Sequence, residues 1–201
     1  MSDFPIALHG ERITAVIIGG GPVSTRKART LVDAGASVRV VAPTVTADLA
    51  EAERLRQVTI VRESYHAEHL DRATLVIAAT DSREVNAQIA VDAHARGKLV
   101  NITDYPDEGN FHTMALHRSG DITIGVSSGG VPSAAARIRD AIAERFDARY
   151  GRAVSALRGL RTRLTGTAAD DWKSAVPKLV GEDFCTSVED GSFTDRMDSW
   201  R

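Results

Sequence analysis

Residues 13–24 have the sequence ITAVIIGGGPVS, in which a β-branched apolar run leads into three glycines. Such a run without polar alternation is typical of a strand that is buried on both faces of a parallel sheet. Gly19 and Gly21 match the first two glycines of the pattern G-x-G-x-x-G/A, and the small Ser24 takes the third position. Because a helix is expected from about Val23, this stretch predicts a dinucleotide-binding turn between a strand and a helix. An ordinary glycine turn is the alternative interpretation.

A dinucleotide-binding turn needs glycines for a physical reason. Phosphate oxygens reach the N–H groups near Gly19, Gly20 and Gly21 only where no Cβ atom intervenes. Pro22 is the unusual member of the loop, because its nitrogen carries no hydrogen and cannot donate to phosphate. The loop is therefore expected to offer fewer backbone hydrogen bonds to a pyrophosphate.

Further along the chain, short apolar runs alternate with segments of helical spacing. This alternation predicts an α/β fold with a Rossmann-like, doubly wound parallel sheet. The predicted strands cover residues 13–18, 37–41, 58–61, 75–79 and 99–102, and the predicted helices cover residues 23–34, 46–56 and 82–96.

The regular alternation ends after Asp104, where a turn-rich loop follows. We therefore expect a dinucleotide-binding domain over residues 1–112. Beyond it, the pattern predicts a strand over 121–126 and one long or broken helix over about 133–164. After Thr165 the chain contains several acids and few apolar residues, so a loosely ordered tail is expected.

Composition limits the classes of function. The 201 residues carry a formal net charge of −2 and are 43% hydrophobic, which predicts a globular protein with no overall attraction to nucleic acid. Cys185 is the single cysteine, so neither an internal disulfide nor a cysteine metal cage is expected. No apolar run approaches the roughly 20 residues that span a bilayer, and the first residues lack a signal-peptide pattern. We therefore expect cytoplasmic residence and no membrane partner.

The ends of two predicted strands carry candidate cofactor contacts. Dinucleotide folds usually have an acidic residue at the end of the second strand for the ribose hydroxyls, but this chain continues into Pro43 and Thr44. Thr44 or backbone groups are expected to contact the ribose instead, and the absence of an arginine cluster there favours NAD over NADP. Thr80 and Asp81 follow the fourth strand at the carboxyl edge, where ligands bind. For Asp81, a helix cap is an equally good interpretation.

Asp104 and a serine-glycine loop are the candidates for the reaction chemistry. Asp104 follows the fifth strand at the same edge, which makes it a candidate general base, although aspartates there also form turns. Ser127, Ser128 and Gly129 precede a predicted helix and offer hydroxyl and amide donors suited to a substrate carboxylate. A plain capped helix start is the alternative. Among the arginines, Arg137 is the best candidate for substrate binding because it is close to this loop in sequence.

No metal site is expected. His112 and His117 are five residues apart, which is not one helical turn, and no carboxylate completes a recognisable metal triad. Solvated histidines are the simpler interpretation.

Together these motifs resemble the dehydrogenase and chelatase part of sirohaem synthase, the family of precorrin-2 dehydrogenases and sirohydrochlorin ferrochelatases. The missing ribose acid is normal in that family. The resemblance covers residues 1 to about 164 and rests on the segments 4–6, 16–23, 26–28, 40–43, 77–81, 86, 100–104 and 126–130.

This resemblance implies an activity and residues for it. It implies that Pro22, Val23, Pro43 and Thr44 contact NAD and that Asp104 is the shared catalytic carboxylate. Precorrin-2 would lose a hydride to NAD and a proton to the carboxylate, giving sirohydrochlorin. Some family members also insert Fe²⁺ into sirohydrochlorin, with the iron as a substrate, and this second activity is left open here.

The resemblance also implies a homodimer. Residues 113–147 are expected to form the dimerisation segment, and residues 148–201 a helical module with a disordered acidic tail. The competing hypothesis is a non-enzymatic regulatory module that senses NAD and contacts a partner through its dimer.

Overall fold

The computed structural model describes residues 3–167 and 169–200. The chain divides into two compact units, Met1–His112 and Thr113–Arg201, which we name the first and the second unit. No helix among the described residues is both long and apolar enough to cross a membrane.

The first unit is a parallel sheet with helices on its faces. Its strands are β1 (Thr14–Ile18), β2 (Ser37–Val41), β3 (Thr59–Val61), β4 (Leu75–Ala78) and β5 (Leu99–Ile102), and their order is β3-β2-β1-β4-β5. Its helices are α1 (Pro22–Asp33), α2 (Ala47–Arg54) and α3 (Arg83–Ala95), with short 3-10 helices at Gly10–Arg12, Ala67–Leu70 and Pro106–Glu108. The predicted doubly wound α/β sheet is confirmed.

The apolar runs form strands because both faces of the sheet are covered. In the central strand, Ile17 pairs with Val40 of β2 and with Ile77 of β4. All three side chains are buried on the face that α1 and α2 cover, and Ile89 of α3 belongs to the apolar cluster on the other face. Burial of each such side chain contributes roughly 2 kcal/mol.

This strand order creates a crevice at the carboxyl edge of the sheet. The chain runs outward from β1 through β2 to β3, and then crosses back to β4 on the other side of β1. The helices after β1 and β4 therefore lie on opposite faces, and they separate where the two strands end. In open α/β sheets, ligands bind in such a crevice.

The second unit combines an antiparallel hairpin with helices. The hairpin strands are β6 (Ala115–Ser119) and β7 (Ile122–Val126), and the helices are α4 (Pro132–Arg145), α5 (Ala148–Thr167), α6 (Ala169–Leu179), α7 (Phe184–Asp190) and α8 (Ser192–Asp198). The hairpin turns at Gly120, whose φ of +54° is in the left-handed region that glycine tolerates. β6 is a strand that the sequence analysis did not predict.

The long predicted helix is broken, and the tail differs from expectation. Phe146 has a ψ of 59°, which interrupts the helix between α4 and α5. The loosely ordered tail predicted after Thr165 is wrong for the described residues, which form helices α6 to α8. These helices are held by few but large apolar side chains, because Leu179, Val188 and Phe193 are buried against Tyr150 of α5.

Candidate functional site

The glycine turn lies at the carboxyl end of β1, and its backbone packs directly against the backbone of neighbouring loops. A Cβ atom on Gly19, which has a φ of +119°, would lie 2.1 Å from the carbonyl oxygen of Ala79, just after β4. A Cβ atom on Gly20 would lie 2.0 Å from the carbonyl oxygen of Thr44, after β2. No real Cβ tolerates such contacts, so both positions require glycine.

Gly21 differs from its two neighbours, because a Cβ atom there would meet nothing within 4 Å. Gly21 is the residue before α1, and its carbonyl accepts the first bond of the helix, from the Thr25 amide at 3.0 Å. The amides of Val23 and Ser24 in the first turn have no acceptor within the helix and favour an anion there. Pro22 occupies the first helical position and offers no N–H group. The turn therefore leaves open space beside amide donors, which fits a pyrophosphate.

Ser24 occupies the third position of the glycine pattern and is fully buried. Its hydroxyl oxygen has no hydrogen-bond partner among the described residues. Three residues further along α1, burial lowers the pKa of the Lys27 ammonium, and the charge of Arg26 lowers it to a smaller extent. A small side chain at position 24 lets α1 pack closely on the sheet, which is the role of the third glycine in this pattern.

The end of β2 provides the side of the site predicted to contact the ribose. Ala42 is buried, whereas Pro43 and Thr44 are exposed at the carboxyl edge. The following loop is fastened to the glycine turn, because the Thr46 amide donates to the Gly20 carbonyl at 3.0 Å. Thr44 is thereby held next to Gly20 with its side chain facing solvent, where a ribose hydroxyl can reach it.

The turn after β4 is organised by Asn86, a buried residue of α3 to which the sequence analysis gave no role. The Asn86 side-chain oxygen accepts hydrogen bonds from the amide and hydroxyl of Thr80, and its nitrogen donates to the Thr80 carbonyl. The N-cap of α3 is Ser82, whose hydroxyl accepts from the Val85 amide at 3.3 Å. The capping alternative for Asp81 is therefore wrong, and this carboxylate is exposed at the carboxyl edge.

Asp104 lies two residues beyond β5 and is exposed at the same edge. The preceding residue, Thr103, fixes the start of this loop, because its amide and hydroxyl both donate to the Ala78 carbonyl, at 3.0 and 2.9 Å. Since Ala78 is the last residue of β4, Asp104 is held beside the turn that carries Thr80. The first unit thus brings together the glycine turn, Thr44, Thr80, Asp81 and Asp104 at one edge of its sheet.

The remaining predicted residues lie in the second unit. Ser127, Ser128 and Gly129 belong to the loop before α4, and Arg137 is exposed on α4. The Ser128 hydroxyl donates to the Val131 carbonyl, so this side chain closes its own loop and does not cap the helix. Gly129 has a φ of +58°.

The two histidines considered for metal binding have protein partners. His117 has its ring Nε2 2.6 Å from the Phe146 carbonyl oxygen, and His112 lies 3.6 Å from the Asp3 carboxylate. Within the described ranges, no group of three or more His, Cys, Asp or Glu side chains is arranged to hold a metal ion.

Comparison with known proteins relates the chain to sirohaem enzymes. It is 39% identical over 153 residues to the siroheme synthase of Chromobacterium violaceum, which covers 76% of this chain and 33% of the relative. It is 33% identical over 196 residues to the siroheme synthase of Photobacterium profundum, covering 97% of this chain and 40% of the relative. The chain therefore spans about a third of the length of these relatives.

Two further matches concern the fold and the family. The solved structure of SirC, precorrin-2 dehydrogenase, superimposes with a TM-score of 0.79 over 98% of this chain and 100% of that chain, at 22% identity, and therefore has the same fold. The family model NAD_binding_7, which describes NAD(P)-binding domains, matches residues 6–115, the part that contains the sheet and its edge. The chain thus belongs to the NAD_binding_7 family of NAD(P)-binding proteins.

Proposed function

We propose that this protein catalyses the NAD-dependent oxidation of precorrin-2 to sirohydrochlorin, a step of sirohaem synthesis. The observation that carries the proposal is the placement of the Asp104 carboxylate at the same edge of the sheet as a dinucleotide-type glycine turn, with β4 between them. The similarity to siroheme synthases and the fold shared with a precorrin-2 dehydrogenase support the choice of substrate.

The residues at the sheet edge fit NAD. The open side of Gly21 and the first amides of α1 suit the pyrophosphate, and the backbone around Pro22 and Val23 borders it. The exposed Pro43 and Thr44 would hold the adenosine ribose, while Thr80 and Asp81 face the other half of the dinucleotide. Bound there, NAD would accept the hydride that leaves precorrin-2.

The Asp104 carboxylate can accept the proton that this oxidation releases along with the hydride. Loss of two hydrogens from precorrin-2 delivers one hydride to the cofactor and releases one proton, which the Asp104 carboxylate accepts. Because this side chain is exposed at the sheet edge, it can return the proton to water after each turnover. Asp104 is thus proposed as the general base.

NAD is the proposed cofactor in preference to NADP. The exposed residues after β2 are Pro43 and Thr44, and the sequence from 42 to 53 contains no arginine that could bind a 2′-phosphate. We also propose cytoplasmic residence, since Cys185 is a free thiol and such thiols persist in reducing compartments.

The second unit has two proposed roles. Ser127, Gly129 and Arg137, together with the backbone amide of Ser128, would donate to carboxylates of the tetrapyrrole substrate. The segment 113–147 would form a homodimer interface, and it carries exposed apolar side chains at Val131 and Ile138, of which 52% and 49% are accessible.

The proposal is tested by incubating the purified protein with precorrin-2 and NAD. We expect NADH absorbance to grow together with the sirohydrochlorin spectrum, and a parallel reaction with NADP to be slower. No NADH under conditions in which another precorrin-2 dehydrogenase is active would overturn the proposal. Binding of NAD and of a protein partner, without tetrapyrrole binding, would instead support a regulatory module. Addition of Fe²⁺ after oxidation determines whether the protein also inserts iron.

A further inference from the structure

Arg83, the first residue of α3, connects the ends of two neighbouring strands. Its Nη2 atom donates to the Oε1 atom of Glu108, a residue of the loop after β5. Its guanidinium carbon also lies 4.9 Å from the ring centre of Tyr105, within the range of a cation–π contact. Tyr105 is the residue next to Asp104. Arg83 therefore contacts the loop of the proposed general base at two points.

The other end of this loop is anchored on the first unit as well. The Glu108 carbonyl oxygen is 2.8 Å from Nε2 of His94 on α3. The Asn110 side chain accepts from the Val100 amide at 2.8 Å and donates to the Lys98 carbonyl at 3.0 Å. The segment after Glu108 is thus fixed against β5 independently of Arg83. Between Thr103 and this anchor, the Tyr105 backbone is held by the Glu108 amide, which donates to its carbonyl oxygen at 3.1 Å, and the Tyr105 ring is held by Arg83.

The charge of Arg83 is well defined at this position. The hydrogen bond to Glu108, and to a smaller extent the charges of Glu108 and Asp104, raise the pKa of Arg83, so it remains a cation at any working pH. This positive charge attracts the nearby Asp104 carboxylate.

Stability alone does not account for this arrangement. The Arg83 and Glu108 side chains are 42% and 33% accessible, and ion pairs so exposed contribute little to the free energy of unfolding. The effect of the contact is on the geometry of the loop, because the planar guanidinium fixes Tyr105 and Glu108 relative to α3.

We propose that Arg83 is a positioning residue, which orients Asp104 for proton transfer by holding Tyr105 and Glu108. This inference rests on the proposed function, because it assigns Asp104 as the base. Since the hydrogen bond to Glu108 holds the guanidinium that contacts Tyr105, removal of either partner should have the same effect on the reaction, and removal of both should add little.

The test compares R83Q, E108Q and the double variant R83Q/E108Q in steady-state oxidation of precorrin-2. We expect each single variant to lower kcat about tenfold, with the KM for NAD unchanged, because small misplacements of a catalytic group cost rate. The double variant should show the same loss of about tenfold. Losses that multiply to about a hundredfold, or a change in the KM for precorrin-2 caused by R83Q alone, would show that Arg83 binds substrate directly and overturn the proposal.

R62Q is the matched control. It removes an ion pair between Arg62 and Glu53 of similar exposure, 51% and 33%, next to the opposite edge strand β3. This variant should keep the rate of the unmodified protein.

A second measurement needs no substrate. Hydrogen exchange of the free protein should become faster over residues 103–107 in R83Q and in E108Q, and should stay unchanged there in R62Q. If the unmodified protein does not oxidise precorrin-2 but this exchange pattern appears, the proposed function fails while Arg83 still orders the loop. Unchanged exchange in R83Q contradicts the positioning role in either case.

Discussion

The Asn86 carboxamide binds Thr80 on three atoms: Oδ1 lies 3.2 Å from the Thr80 amide nitrogen and 2.8 Å from its hydroxyl oxygen, and Nδ2 lies 3.1 Å from its carbonyl oxygen. Asn86 itself is completely buried. The turn after β4 therefore depends on a side chain from the helix that follows it.

The variant Asn86→Ala tests this dependence. Truncation leaves the Thr80 backbone groups without these partners, and we expect the free energy of unfolding to fall by roughly 2 kcal/mol. NAD affinity should fall too, because Thr80 and Asp81 then lose their fixed position. Urea unfolding and calorimetric titration with NAD measure the two effects. As a control, Gln88→Ala removes an exposed partner of Asp92 on the same helix and should change neither quantity. Unaltered NAD binding by Asn86→Ala would show that the turn does not contact the cofactor.

The glycine turn gives a prediction that separates folding from binding. In Gly20→Ala the new methyl group would meet the Thr44 carbonyl oxygen, so both stability and NAD binding should be lost. In Gly21→Ala the methyl group enters open space, and the φ of −84° suits alanine. This variant should unfold like the unmodified protein but bind NAD at least about tenfold more weakly, because close backbone approach to phosphate is blocked. Equal NAD affinities in Gly21→Ala and the unmodified protein would place the pyrophosphate elsewhere.

The assignment of Asp104 predicts a specific kinetic defect. Asp104→Asn keeps the size of the side chain but removes the carboxylate, so oxidation should slow by about a hundredfold or more. NAD binding, measured by titration, should be largely retained, because no predicted cofactor contact is changed. As a control, Asp107→Asn alters another exposed carboxylate of the same loop and should leave the rate near normal. Near-normal turnover by Asp104→Asn would remove this residue from the mechanism.

The second unit should lose stability in alkaline solution through Tyr150. This buried phenol donates to Glu189 at 2.7 Å, and burial, followed by that hydrogen bond, raises its pKa to about 12. The folded state therefore holds the phenol proton more tightly than the unfolded state, whose pKa is about 10. The resulting stability is complete below pH 10 and is lost as the pH rises toward 12.

Comparison with Tyr150→Phe isolates this contribution, since other groups also titrate at high pH. Urea unfolding at several pH values should show that the stability difference between the unmodified protein and Tyr150→Phe shrinks or reverses between pH 10 and pH 12. A difference that is constant over this range would mean that Tyr150 does not link pH to folding.

The sequence predicts the first unit well for a physical reason. Residues 15–18 and 75–78 are apolar on both faces, so their composition alone indicates buried parallel strands, and the predicted bounds, 13–18 and 75–79, agree with the structure to within one residue. The strand Ala115–Ser119 gives no such signal, because its residues are only partly buried and include His117 and Arg118. Half-exposed hairpin strands are specified by pairing with a neighbour, which a single segment does not reveal.

The residues of the candidate site also divide into those that a local segment indicates and those that only the folded chain brings together. The sequence alone indicates Gly19, Gly20 and Asp104 as candidates, because a local motif and the ends of strands mark them. Arg83 and Glu108 are 25 residues apart and meet only after β4 and β5 pair, so no local spacing predicts their contact. The ordered helices of the tail were not predicted, because their burial depends on a few aromatic side chains that pack on Tyr150. The average composition of the tail does not reveal such individual contacts.

The neighbours that exclude a side chain at Gly19 and Gly20 are the carbonyl oxygens of Ala79 and Thr44. Every amino acid carries that carbonyl, so no replacement at position 79 or 44 can make room for a larger residue in the turn. No second mutation in a neighbouring side chain can therefore compensate for the loss of either glycine. Changes in the side chains around the turn do not relieve these contacts, so a mutation of either glycine can be repaired only by reversion or by a change in the course of the backbone.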